Sequence, residues 1–144
     1  MGAREYDSAG RVKPYDDDSI SGDAYLVRYV HREWLVPDDD GGRRLSKAAF
    51  SPSSIQRDPY QGMSTEILDL ILRDGSSPAE RRPRDHEAAV MLKVEHLRSL
   101  GLKVGHDPID DINPYHVSVW GVKRSHQKRL LGLCQWLDKP ADVR

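Results

Sequence analysis

The chain has 144 residues, one cysteine and a formal net charge of −1, with 38% apolar and 31% charged side chains. That length suits one domain with its own core, and a single cysteine excludes both an intrachain disulfide and a cysteine-rich zinc site. No apolar stretch follows Met1 as in a secretory signal, and none approaches the roughly 20 residues that cross a bilayer, so a cytoplasmic protein with no membrane partner is expected.

Charge is unevenly placed. Residues 1–40 carry five basic and ten acidic side chains, and the remainder carries 17 basic against 13 acidic. Much of the basic excess falls in the last 28 residues, where six Lys and Arg face two Asp. Such asymmetry favours an anionic partner at the C-terminal end, although a pI near 6.6 argues against a dedicated nucleic-acid binder.

Residues 1–22 are polar and include Asp16, Asp17 and Asp18. They lack an amphipathic face and are expected to form a flexible acidic arm, with residues 23–144 as the folded unit. Tyr25 to His31 reads as a first strand, with Leu26, Arg28 and Val30 on one side and Tyr25, Val27, Tyr29 and His31 on the other. Asp38 to Gly42 is a turn signal. Leu45 to Phe50 fits either a short helix or a strand.

Ser64 to Leu72 is expected to be a helix, with Ser64 as its N-cap and Gly75 beyond its end. Ala88 to Val94 reads as a strand running into a helix from Glu95 to Leu100, with one continuous helix as the alternative. Residues 105–114 form a turn region, His116 to Trp120 a strand, and Lys123 to Leu137 a helix whose buried stripe is Leu130, Leu133, Cys134 and Leu137. The expected fold is α+β: a small, mainly antiparallel sheet of three to five strands with two or three helices packed on one face.

The residues that suggest chemistry are His31 and His116 at the ends of the two most strand-like segments, with Arg28 and Ser118 nearby in sequence. A strand puts His116 and Ser118 on one face, where imidazole and hydroxyl can reach the same group. The run from His116 to Val119 resembles one copy of the His-x-Ser/Thr-x signature of the 2H phosphoesterases. That resemblance implies an acid–base pair of histidines acting on a phosphodiester. It also requires a second copy, and the run from His31 to Trp34 has Glu33 at the hydroxyl position. Arg28, followed by Ser64, Thr65 and Glu66, resembles the early part of the ADP-ribosyltransferase arrangement, without a late glutamate on the last strand.

His106, Asp107, Asp110 and Asp111 are hard or borderline ligands that a loop can converge on a metal ion. No cofactor is required by the sequence. Two functions therefore stand side by side. One is an accessory module that binds a protein partner, or a nucleic acid through Lys123, Arg124, Lys128 and Arg129, by means of the acidic arm and the basic C-terminal helix. The other is a small phosphodiester- or nucleotide-acting enzyme that uses His31, His116, Ser118 and Arg28.

Overall fold

The computed structural model describes residues 3–108 and 112–144. Its strands are β1 (Tyr25–His31), β2 (Leu35–Pro37), β3 (Arg43–Leu45), β4 (Met63–Ile67), β5 (His86–Lys93), β6 (Lys103–His106), β7 (His116–Trp120) and β8 (Gln135–Asp138). Its helices are α1 (Leu68–Arg73), α2 (Pro78–Arg81), α3 (Val94–Ser99) and α4 (Arg124–Leu133). Two 3₁₀ turns, Arg32–Trp34 and Lys47–Phe50, follow β1 and β3.

Six strands form one sheet in the order β6-β7-β4-β1-β5-β8, and every neighbouring pair is antiparallel. β2 and β3 make a separate hairpin. The α+β class and the antiparallel sheet are as expected, but six strands exceed the expected three to five. β1 lies inside the sheet because both its faces are largely apolar, which suits a strand covered on both sides.

Leu26 and Val30 enter the larger core with Val90, Leu92, Leu97, Phe50 and Leu130, so α3, α4 and the Lys47–Phe50 turn pack on that face. Val27 faces the reverse side, where it meets Ile71 of α1 and Ala89. Helices therefore cover both faces. The expectation of one helical face fails at α1, because strand alternation sends the neighbours Leu26 and Val27 to opposite layers.

Two further segments depart from the expected pattern. Ser64 caps no helix: Met63, Thr65 and Ile67 alternate inward on β4, and the helix begins only at Leu68. Glu66 is buried on the other side of that strand, where side-chain partners satisfy it. The last helix stops at Leu133, and the chain extends again as β8, pairing Trp136 with Val90. Leu130 alone of the expected stripe is fully buried. Burying Trp136 against β5 in extended form wins over helix propensity, which is a weak preference of tenths of a kcal/mol per residue.

Residues 3–22, expected as a flexible arm, lie against the sheet. Val12 and Tyr15 pack on Trp120 of β7, and Ile20 is buried in the main core. Arg98 of α3 donates to Asp16 at 3.1 Å, and the Tyr60 hydroxyl donates to Asp7 at 2.7 Å. Two of the acidic side chains that made this segment look solvated, Asp7 and Asp16, accept hydrogen bonds from the rest of the domain.

Candidate functional site

At one end of the sheet, β1 finishes in a cluster of rings around a buried cation. His31 pairs with His86 across β1 and β5, after a bulge between Val30 and His31. The two imidazole centroids are 5.3 Å apart and nearly perpendicular. Trp34 of the following 3₁₀ turn completes a triangle, with its ring centroid 6.0 Å from His31 and 6.3 Å from His86. His31 Nδ1 accepts the Glu33 backbone N–H at 3.1 Å, which fixes the ring.

Arg28 lies beneath Trp34, its guanidinium carbon 4.9 Å from the indole centroid. Its Nε, Nη1 and Nη2 donate to the carbonyls of Ala49, Ser64 and Ser51 at 2.9, 2.9 and 3.1 Å. No carboxylate pairs with it among the described residues. Burial lowers its pKa to about 10. The guanidinium stays charged at neutral pH and is stabilised by three peptide dipoles and an aromatic face. His86 is pushed below the usual imidazole value, first by burial and then by the charges of His31 and Arg28.

The second group, His116, Ser118 and Asp107, sits at β7 and the end of β6. His116 Nδ1 is 2.6 Å from the Asp107 carbonyl, which can only accept, so Nδ1 is the donor of this contact. Nε2 is buried with no partner among the described residues. The Ser118 hydroxyl donates to the Asp107 carboxylate at 2.8 Å. Asp107 thus joins the two side chains that the sequence placed on one face. In the metal reading, His106 and Asp107 are described while Asp110 and Asp111 lie outside the described residues. Among the described residues no three His, Cys, Asp or Glu side chains converge on a common point.

Strand register separates the two groups. His116 is level with Glu66 on β4, and Glu66 is level with Val27 on β1. His31 lies four residues further along β1, two strands away from β7. At about 3.3 Å per residue and 4.8 Å per strand, the two backbones are roughly 16 Å apart. His31 and His116 do not share a cleft. Arg28 stands with His31, Ser118 stands with His116, and His86, Trp34 and Asp107 are their true companions. Only pairing register reveals His86, because 55 residues of sequence separate it from His31.

Between these groups, Glu66 accepts two hydrogen bonds from Arg81 at 2.7 and 2.6 Å, one from Asn113 at 2.7 Å and one from Tyr29 at 2.9 Å. Burial raises its pKa, and these donors outweigh burial, so the net shift is downward. All its lone pairs are engaged by protein, which suits a structural tie more than a proton carrier. An open hollow of about 420 Å³ lies beside Tyr15, Asp17, His106, Pro108 and Pro114. Cys134 is half-buried and its thiol is pushed up to about 11 by burial, so it is a poor nucleophile at neutral pH.

No protein-family model, curated protein or solved structure matches this chain. Function must therefore be argued from surfaces and sites alone. α4 and the residue before it carry exposed charge of one sign. Lys123, Arg124, Lys128 and Arg129 are all exposed, and none lies within salt-bridge distance of a carboxylate among the described residues. No acidic side chain occurs from Lys123 to Leu137. No described helix is long and apolar enough to cross a membrane.

Proposed function

We propose that the chain is a binding module that engages an anionic macromolecular partner through α4. The observation that carries this reading is the set of four exposed cations on and just before one helix, none within salt-bridge distance of a carboxylate among the described residues, on a stretch from Lys123 to Leu137 that holds no acidic side chain. Exposed like charges repel one another weakly and gain from a polyanion that displaces its own counterions. The N-terminal segment serves as part of the fold in this reading, since Asp7 and Asp16 accept from Tyr60 and Arg98 and the Asp17 N–H donates to the Val104 carbonyl.

The test is a titration of the whole chain with two fluorescein-labelled polyanions, a single-stranded DNA and a polyglutamate peptide, read by anisotropy at low and at physiological salt. Binding to at least one of them is expected, weakened by salt and by the double charge reversal Lys128→Glu with Arg129→Glu. Absence of binding to both at low salt, where screening is least, removes the reading.

A second reading is kept for the enzyme. His116 stands with Ser118 and Asp107, side chains of the kinds that transfer protons. Its check is turnover of a chromogenic phosphodiester by the wild type and by His116→Gln. Equal rates at background level end it.

A further inference from the structure

The first turn of α4 is closed by a side chain that can change charge. Lys123 precedes the helix in extended conformation, and His126 follows three residues later. His126 Nδ1 accepts the Lys123 backbone N–H at 3.0 Å, and the His126 backbone N–H donates to the Lys123 carbonyl at 2.9 Å. A glutamate or glutamine commonly reaches back in this way from the third helical position. Histidine can do so only while Nδ1 keeps its lone pair. The atom that accepts is therefore the atom that takes up a proton.

The surroundings oppose that uptake in the free protein. Arg129, three residues further on, is a neighbour of His126 on the helix surface. Lys123 stands on the other side of the cap, and both cations are exposed. Lys47 is the charged residue of the 3₁₀ turn that packs against α4. No carboxylate lies within salt-bridge distance of His126 among the described residues. The positive end of a helix disfavours a further cation as well. Protonation thus breaks the cap bond and adds a like charge to a cationic surface. A polyanion reverses the balance, because it neutralises Lys123 and Arg129 and offers the imidazolium an acceptor.

We infer that His126 regulates the α4 surface by proton uptake: an anionic partner binds together with one proton, taken from the buffer onto Nδ1, and affinity rises as pH falls. This inference rests on the reading of α4 as the anion-binding surface and adds its regulation. The sign follows from linkage, since a proton that promotes anion binding is itself held more tightly once the anion is bound. Histidine changes charge between about pH 5 and pH 8, whereas lysine and arginine keep theirs. At the alkaline end the neutral ring caps the helix, and Lys123, Arg124, Lys128 and Arg129 bind alone.

The probe is single-stranded DNA, titrated into the full chain by calorimetry at low salt near pH 8 and near pH 5.5. Expected is an affinity about fivefold or more higher at the acid end. Buffers of different ionisation enthalpy should report net proton uptake between those limits. His126→Gln is the comparison, because glutamine can accept the Lys123 N–H without titrating. It should match the wild type near pH 8, bind more weakly near pH 5.5 and take up less proton. The five other histidines titrate in both proteins. In the wild type, NMR of the His126 ring should show its titration midpoint moved to higher pH by the DNA. Equal pH dependence in the two proteins, or a midpoint that DNA does not move, overturns the regulation while leaving α4 as an anion surface. A variant weakened by one factor at every pH overturns it too, since His126 is then a contact that does not titrate. DNA that binds at neither pH ends the inference, and if polyglutamate also fails the α4 reading falls with it.

Discussion

The ring of Tyr15 occupies the space that a side chain at Gly105 would need: a Cβ built on Gly105 falls 2.6 Å from Cε1 of Tyr15. The phenol is anchored there by its hydroxyl, which donates to the His106 carbonyl at 2.8 Å. Burial, followed by the charge of Asp17, pushes its pKa up to about 12. Gly105→Ala must therefore displace either the ring or the strand. We expect a loss of about 1–3 kcal/mol of stability, as for other overpacked sites, with faster proteolysis of residues 3–22. Unchanged stability and cleavage would show that Tyr15 is not fixed against β6.

Arg28 gives a second expectation. Its guanidinium gathers three carbonyls from the Lys47–Phe50 turn, the residue after it and β4, and holds them under Trp34. Truncation leaves those carbonyls without their donor, at about 1–3 kcal/mol for each group that water does not reach. Arg28→Ala is expected to cost about 3 kcal/mol or more in urea unfolding. Arg28→Lys should recover only part of that, because an ammonium cannot serve three diverging acceptors as a planar fork does.

How much of this was legible in the sequence follows from the range over which each cause acts. β1, β5 and β7 carry their own signal in β-branched and aromatic residues, and α3 is closed by Gly101 at φ 82°. β4 misled because Ile67, Leu68, Leu70 and Ile71 form an apolar run that fits a helix, although the strand precedes it. β8 was hidden because its apolar residues continue the spacing of α4. The N-terminal segment looked disordered by composition, yet its aspartates find donors on Arg98, Tyr60 and the backbone of Val104. Arg28 was expected to need a partner if buried, and it found carbonyls. The pairing of His31 with His86, and the distance of both from His116, depend on strand order, which no local pattern encodes.

That separation can be checked by thermodynamic coupling. Residues beyond about 7–10 Å with no shared partners give stability changes that add to within about 0.5 kcal/mol. His31→Ala and His116→Ala should therefore add in the double variant. His31→Ala and His86→Ala, whose rings touch, should not. Strong coupling between His31 and His116 in chemical denaturation would mean that the strand order described above is wrong.

The last expectation concerns pH. His86 has a folded-state pKa below the unfolded value of 6.5, mainly through burial and then through the charges of His31 and Arg28, with Asp85 opposing. His106 is lowered as well, by burial first and then by Arg4, against the pull of Asp17. For such groups the unfolded chain binds protons more readily than the native one, so stability is fully present above about pH 6.5 and falls as acid is added. Glu66 adds a second decline below its unfolded value of 4.5, because Arg81, Asn113 and Tyr29 hold it ionised in the fold. Thermal melts should show two descending steps, the first from about pH 6.5 and the second below about pH 4.5. His86→Gln should make the first step shallower and leave the second in place, whereas Glu66→Gln should make the second shallower without removing it, because Asp7, Asp17, Asp74, Glu95 and Asp142 are also held ionised in the fold. A midpoint constant between pH 7 and pH 5 would mean that His86 and His106 titrate alike in the folded and unfolded chain.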